Sequence, residues 1–172
     1  MARLNYIDNE TASPDQEKIL AQLTQKSGKV ANIWRIWAHS PMSLEAYMPF
    51  SKSLIKGTLD PKFRELAYVK ASRINDCAYC ANSHIKTGLR SGVTEQQFAE
   101  IDNYTTSTAF SATEKSVLQF AEEVTRNVKA SDEVIAQLKK QLSEADIVEL
   151  TLTVGLANLT NRFNMALLVD PD

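Results

Sequence analysis

The chain has 172 residues, enough for one or at most two domains with a buried core. Its hydrophobic and charged fractions, 44% and 23%, are those of an ordinary globular protein, and its net charge of −2 gives no basic surface for nucleic acid or a membrane. Two cysteines are too few for a disulfide scaffold, and the segment MARLNYIDNE lacks the apolar core of a signal peptide. We therefore expect a reducing, cytoplasmic environment.

Helix start signals recur along the chain, each a capping residue followed by proline or by a capping-box partner. They are Ser13-Pro14, Ser40-Pro41, Asp60-Pro61, Thr94 with Gln97, Ser111 with Glu114, Ser131, and Ser143 with Asp146. Pro49 lies inside a helical pattern and should kink that helix or split it. No stretch alternates as a strand would. The sequence therefore predicts an all-α fold of seven to eight helices, in a single domain over residues 1–172.

The most apolar region of the chain, residues 147–169, lies close to its end. Glu149 and Arg162 interrupt it, and charged residues inside a membrane span are rare. We therefore expect a buried helix here rather than a membrane span.

The chemically distinctive stretch runs from Glu65 to His84. Cys77 and Cys80 are three residues apart, and His84 follows Cys80 by four, so a helix would place all three side chains on one face. If Asp76 is the N-cap, both sulfurs lie in the first turn, where unpaired amide groups favour a thiolate. Such surroundings can lower a cysteine pKa from ~8.5 to roughly 3.5–7.5. This pattern predicts a redox-active dithiol with an acid/base group beside it.

The preceding helix should carry Glu65, Tyr68 and Ser72 on one strip of its surface, because they are spaced by three and four residues. A solvated surface position is the usual fate of a glutamate, but the offset of Glu65 from the cysteine pair favours a functional role.

The cysteine pair has four other interpretations. A c-type haem site needs histidine directly after the second cysteine, where this chain has Ala81. A zinc site could use Cys77, Cys80 and His84 with Glu65, although the only other histidine is His39 and no other cysteine exists. A thioredoxin-like motif would follow a strand, and none is predicted. The cysteines could also be small core residues, with His84 a satisfied core histidine.

The spacing of these residues resembles the active-site signature of the carboxymuconolactone decarboxylase/alkylhydroperoxidase D-like superfamily. Glu65 is followed by eleven residues, then by Cys77-Ala78-Tyr79-Cys80, then by three residues and His84. The flanks agree: Leu59-Asp60-Pro61 before the motif, and Gly88 with Gly92-Val93-Thr94 after it. The likeness is strong over residues 57–102 and looser elsewhere, although Asn161-Arg162-Phe163 also resembles the closing segment of the family. The resemblance implies a helical bundle that assembles as trimers or hexamers, with the motif helix lining a pocket near a subunit interface.

The chain has both cysteines, the glutamate and the histidine, and in this it resembles the peroxidase branch of the superfamily. That branch implies a hydroperoxide substrate and a dithiol reductant such as a lipoylated protein. We expect no organic cofactor, because no glycine-rich phosphate loop follows a strand in the sequence, and no metal. It further implies that Cys80 is the peroxidatic nucleophile, that Cys77 closes the disulfide, and that His84, oriented by Glu65, moves the proton. Local electrostatics alone leaves the roles of the two cysteines open, since the helix dipole favours Cys77 as the thiolate and proximity to His84 favours Cys80.

Two further expectations concern individual side chains. Cys77 should be the more exposed sulfur, because it lies at the helix tip. Tyr79 stands where better-studied relatives carry histidine, and it should line the pocket or pack in the core. Two other functions stay open: a lactone decarboxylase that uses Glu65 and His84 as its acid/base pair, and a redox-sensing or zinc-binding module.

Overall fold

The structure is a computed structural model that describes residues 1–8 and 10–172, without the side chains of residues 26 and 27. The described residues form nine α-helices and one 3₁₀-helix, and no strand. The α-helices are α1 (Pro14–Ser27), α2 (Asn32–Trp37), α3 (Pro41–Ile55), α4 (Pro61–Ile74), α5 (Ala78–Arg90), α6 (Glu95–Glu100), α7 (Ala112–Asn127), α8 (Asp132–Lys139) and α9 (Glu144–Leu167). This confirms the all-α prediction. The count exceeds the expected seven to eight by one short helix, α2, which has six residues and no side-chain cap to mark its start.

The capping signals are confirmed as helix starts. Full capping boxes form at Ser13, Thr94 and Ser111. Ser131 and Ser143 cap α8 and α9, and the side-chain oxygen of each accepts the backbone N–H of the third following residue. Pro49 does not split its helix, because α3 continues through it from Pro41 to Ile55.

The helices fall into two compact units, residues 1–53 with 163–172, and residues 54–162. The expectation of a single domain over residues 1–172 stays a prediction. The first unit has an apolar core formed by Ile7, Ile19, Leu20, Leu23, Ala38 and Leu44. Beside this core, an aromatic cluster joins Trp34, Trp37, Tyr47 and Phe163. The two ends of the chain are joined by hydrogen bonds, among them Arg3 N–H to the Leu167 carbonyl (2.8 Å).

The second unit is built around α4. All residues from Glu65 to Ser72 are buried, so this helix is covered around its whole circumference. One apolar cluster joins α4 to α7, α8 and α9, a second joins it to α6 and α7, and a third joins it to α5 and α9. A polar residue on this stretch of α4 must therefore find its partners inside the protein.

The apolar stretch at residues 147–169 coincides with most of α9. Over the described part of the chain, no helix is both long enough and apolar enough to cross a membrane.

Candidate functional site

Helix α4 carries the first residues of the site. Asp60 caps it, accepting the backbone N–H of Lys62 at 2.8 Å, and the helix then presents Glu65, Tyr68 and Ser72 along one strip, all of them buried. Glu65 is only 3% exposed, so it is not the solvated surface glutamate that is usual for this residue type.

The turn from α4 to α5 differs from the expected one. Asp76 is not the N-cap: it has a left-handed backbone with φ of 54°, which aspartate tolerates better than most residues. Cys77 takes the N-cap position instead, and its Sγ accepts the backbone N–H of Cys80 at 3.4 Å. Helix α5 runs on through Gly88 to Arg90.

Helix α9 holds this turn in place through amide side chains. Asn75 Nδ2 donates to the side-chain oxygens of Asn158 (3.0 Å) and Asn161 (2.9 Å). Asn161 Nδ2 in turn donates to Ser72 Oγ at 3.1 Å. Helices α4 and α9 therefore fix where α5 begins, and with it the position of both cysteines.

Cys77 and Cys80 form a disulfide, with their Cα atoms 5.4 Å apart. Both residues are buried, at 1% and 3% exposure, and pack with Tyr68, Ala71 and Ala157. The expectation that Cys77 is the more exposed sulfur is therefore wrong. At the N-cap, Cys77 points inward, between α4 and α5, and not outward at a free helix tip.

His84 and Glu65 are joined directly. The Nδ1 atom of His84 lies 2.7 Å from Oε2 of Glu65, across the α4–α5 contact. The other carboxylate oxygen, Oε1, accepts a hydrogen bond from Arg64 Nε at 3.1 Å. An ionised carboxylate can only accept hydrogen bonds, so Nδ1 carries the proton and Nε2 of a neutral ring keeps its lone pair. The His84 side chain is 31% exposed, which leaves the ring accessible from solvent.

Tyr68 holds the same imidazole from its face. The two rings stack with centroids 3.4 Å apart and planes 13° from parallel. The Tyr68 hydroxyl shares a short hydrogen bond with Thr160 Oγ1 of α9, and Thr160 also donates to backbone carbonyls of its own helix. The imidazole is thus fixed at its edge by Glu65 and at its face by Tyr68.

A cavity of about 380 Å³ opens beside the disulfide. Its wall includes Cys77, Arg73 and Asp76, together with Ser72, Ala78, Ala81, Asn82, Ile85 and Asp102. Arg73 and Asp102 form an ion pair across it, with Nη1 and Oδ2 2.8 Å apart. Cys80 and His84 are not among the described residues of this wall. The cavity therefore lies against Cys77.

Tyr79 packs against the cluster formed by the cysteines, Tyr68, Ala71 and Ala157, and its role as a pocket residue stays a prediction. Within the ranges 1–8 and 10–172, no group of three or more His, Cys, Asp or Glu side chains is arranged to hold a metal ion.

Sequence reasoning brought Glu65, Cys77, Cys80 and His84 to one site, and the structure places all four around the α4–α5 contact. It missed Arg64 and the ring contact of Tyr68. The signal for Tyr68 was present, since it shares the helical strip of Glu65, three residues away. Arg64 has no such signal, because adjacent residues on a helix normally point apart.

Residues 41–123 match the model of the carboxymuconolactone decarboxylase family. With the all-helical fold and the bonded CxxC pair, this match to just under half of the chain supports the class of protein that the sequence predicted, the carboxymuconolactone decarboxylase/alkylhydroperoxidase D-like superfamily.

Solved structures agree with this assignment. ATU0492 of Agrobacterium tumefaciens, a protein of unknown function proposed to be the antioxidant defence protein AhpD, is 26% identical; the match covers 78% of this chain and 93% of that one, with a TM-score of 0.73. A peroxidase-related protein from Silicibacter sp. TM1040 is 23% identical over 99% and 92% of the two chains (TM-score 0.82). The debrominase Bmp8 shares the fold at 18% identity over 97% and 90% (TM-score 0.79). The family includes enzymes, and the fold with its bonded CxxC pair fits a CxxC peroxidase-like role.

Proposed function

We propose that this protein is a thiol-dependent hydroperoxide reductase, in which the Cys77–Cys80 pair alternates between dithiol and disulfide. The observation that carries the proposal is the 2.7 Å contact between His84 and Glu65 beside a cysteine pair close enough to bond. A dithiol needs a proton acceptor before attack and a proton donor after it, and an oriented imidazole can serve as both.

The proton relay follows from the tautomer of His84. With Nδ1–H directed at Glu65, the lone pair of Nε2 is available to take the thiol proton of Cys80, one helical turn away, directly or through one water. Glu65 stabilises the resulting imidazolium. Arg64 keeps one carboxylate oxygen occupied, so that the other remains aligned with the ring.

The first chemical step breaks the O–O bond of the hydroperoxide. The Cys80 thiolate attacks the distal oxygen, and the departing alkoxide takes the proton held by His84 and leaves as an alcohol. Cys80 is oxidised to a sulfenic acid. The Cys77 thiol then attacks the Cys80 sulfur, water leaves, and the disulfide forms. One hydroperoxide is reduced and one dithiol is oxidised, two electrons in each case.

The return step needs a dithiol reductant. Its first thiolate attacks Cys77 through the cavity lined by Arg73 and Asp76, giving a mixed disulfide, and its second thiol releases the restored pair. The burial of both sulfurs favours a slender reductant, such as a lipoyl group or dithiothreitol, over a bulky protein thiol.

The test is a peroxide-consumption assay with dithiothreitol or a lipoyl donor, on the wild type, Cys80→Ser and Cys77→Ser. Turnover should vanish in both variants. Mass spectrometry after one equivalent of peroxide should find a sulfenic acid on Cys80 in Cys77→Ser, and none formed readily in Cys80→Ser. Ser83→Ala, exposed on the same helix, is the matched control and should keep full activity.

The other functions give different results in the same assay. A lactone decarboxylase would keep its activity on a carboxylated lactone without either cysteine and lose it in Glu65→Gln. A redox sensor would be oxidised once and show no turnover with reductant present. A sulfenic acid on Cys77 rather than Cys80 would reverse the assignment of the two cysteines.

A further inference from the structure

One buried amide of helix α9 holds the chain segment that leads into the cysteine pair. Asn161 has no exposed surface. Its Oδ1 accepts a hydrogen bond from Asn75 Nδ2 at 2.9 Å, and its own Nδ2 donates to Ser72 Oγ at 3.1 Å. Ser72 lies in the last turn of α4, and Asn75 directly follows that helix. A single side chain of α9 therefore holds the segment between α4 and α5 at two points.

This segment is bonded directly to the backbone of Cys77. The Cys77 N–H donates to the carbonyl of Ser72 at 2.9 Å, so the chain closes a tight loop from Ser72 to Cys77. Asp76 lies inside the loop with its left-handed backbone. Ser72 thus accepts from Asn161 through its side chain and from Cys77 through its carbonyl. Because Asn161 fixes Ser72, only one further hydrogen bond separates Asn161 from the backbone of Cys77.

A second amide of α9 strengthens this attachment. Asn158 Oδ1 accepts from Asn75 Nδ2 at 3.0 Å, and Asn158 Nδ2 donates to Thr125 Oγ1 of α7 at 3.2 Å. The amide nitrogen of Asn75 therefore serves two oxygens of α9, one on Asn158 and one on Asn161, which matches its two N–H groups. Any shift of the segment would break several of these hydrogen bonds at once, and a buried polar group that loses its partner is costly.

Asparagine is an unusual side chain for a fully buried position. This residue type is mostly exposed in folded proteins, and burying an amide is favourable only when its hydrogen bonds are made. An apolar side chain would bury hydrocarbon without that requirement. The amide of Asn161 supplies direction instead, since its two bonds hold Ser72 and Asn75 in one position relative to α9. The network therefore determines where α5 starts.

We propose that Asn161 is a positioning residue that favours the disulfide form of the Cys77–Cys80 pair over the dithiol form. A disulfide closes more readily when the folded protein already holds the two thiols side by side, because less freedom is lost on closure. Asn161 limits that freedom by fixing the loop from Ser72 to Cys77. This inference rests on the proposed alternation of the pair between dithiol and disulfide, but not on its reaction with peroxide.

The experiment equilibrates the protein, without oxygen, with mixtures of reduced and oxidised dithiothreitol. In the exchange, two electrons and two protons pass from the dithiothreitol dithiol to the protein disulfide, and cyclic oxidised dithiothreitol forms. After an acid quench, the free thiols are alkylated in denaturant and counted by mass spectrometry. Asn161→Ala removes both bonds and should move the equilibrium constant about 10-fold towards the protein dithiol. Ser72→Ala removes one bond and should cause a smaller shift in the same direction.

Val134→Ala is the matched control for a buried side chain truncated to alanine. Val134 is 1% exposed and lies on α8, within the same compact unit as the cysteine pair. This variant should unfold in less urea than the wild type but keep the wild-type equilibrium constant. A second control combines Asn161→Ala with Ser72→Ala. The double variant should shift no further than Asn161→Ala alone, because the bond of Ser72 Oγ ends on Asn161.

The results that would overturn the inference are distinct from those that would overturn the proposed function. Unchanged equilibrium constants in Asn161→Ala and Ser72→Ala, a shift towards the disulfide, or shifts that add in the double variant would each overturn the inference alone. If Asn161→Ala does not fold, the shift in Ser72→Ala decides. A wild-type pair that dithiothreitol does not reduce would overturn both the inference and the proposed function.

Discussion

The ring of Tyr68 lies on the imidazole of His84, with centroids 3.4 Å apart, while the carboxylate of Glu65 holds the edge of the same imidazole at 2.7 Å. Both partners come from α4, at positions three residues apart, and neither comes from α5, which carries His84 itself. The orientation of the imidazole is therefore set by how α4 and α5 pack. Helix α9 contributes through the hydrogen bond between Thr160 and the Tyr68 hydroxyl.

Removing the ring at position 68 should slow catalysis more than it weakens peroxide binding. Tyr68→Leu keeps an apolar side chain but frees one face of His84, so the imidazole samples orientations that do not reach Cys80. We expect kcat to fall about 10- to 100-fold with little change in KM. Tyr68→Phe retains the stacking and removes the hydroxyl that bonds to Thr160, so its kcat should be much closer to that of the wild type. Equal losses in the two variants would contradict a role for the ring contact.

Glu65→Gln should disable the relay without unfolding the protein. The amide has nearly the shape of the carboxylate, but it can donate as well as accept, so it no longer holds the proton on Nδ1 of His84. General acid–base catalysis contributes typically 10²–10⁴-fold, and we expect kcat/KM for peroxide to fall within that range. The measurement is stopped-flow oxidation of the reduced protein over a series of pH values. Glu133→Gln, exposed in the first turn of α8, should leave the rate unchanged.

Gly88 sets the distance between α4 and α5 next to the relay. A Cβ at this position would lie 2.5 Å from Phe98 Cζ and 3.3 Å from Glu65 Cβ, too close on both sides. Gly88→Ala should therefore push Glu65 away from His84 and lower the free energy of unfolding by roughly 1–3 kcal/mol, the usual cost of overpacking. Urea unfolding measures this change.

The matched control is Gly155→Ala, at a helical glycine with open space around its Cβ. Measured at a protein concentration low enough for single chains, it should stabilise the fold by about 1 kcal/mol through helix propensity alone. A Gly88→Ala protein as stable and as active as the wild type would show that α4 and α5 can move apart to accept a methyl group without a loss of stability or activity.

The sequence predicted most of this site because helical spacing and capping are local properties. Capping residues located the helix starts, and the offsets among Cys77, Cys80 and His84 placed them on one face. It failed at Asp76, where the chain takes a left-handed turn and Cys77 becomes the cap. Aspartate is a good N-cap in isolation, but a turn held by Asn75 and Asn161 against α9 decides the outcome, and such long-range bonds leave no trace in local spacing.

The burial of the cysteine pair could not be predicted for a similar reason. A helix tip is normally exposed, and the sequence gives no sign that Tyr68, Ala71 and Ala157 close over this one. Contact between α5 and two other helices depends on the packing of the whole second unit, which periodicity within one segment does not encode.

The stability of the second unit should depend on pH through Glu114. Burial would raise the pKa of this carboxyl, but hydrogen bonds from Lys62, the Ser111 backbone and Gln97, with the charge of Lys62, outweigh burial and hold the pKa below 4.5. A folded-state pKa below the unfolded one means that the unfolded chain binds more protons in acid, so stability rises with pH. The contribution of Glu114 is fully present above the unfolded value of 4.5 and is lost as pH falls through the lower folded pKa.

Glu114→Gln isolates the contribution of this charge to stability, because glutamine keeps the capping-box geometry but cannot ionise. We expect the variant to be less stable than the wild type at pH 7, since Lys62 loses a charged partner 2.6 Å away. The difference should shrink as the pH falls below 4.5, where the wild-type carboxyl also becomes neutral. Urea unfolding of both proteins between pH 7 and pH 3 measures the gap. A gap that stays constant or widens in acid would mean that Glu114 stabilises the fold by shape rather than by charge.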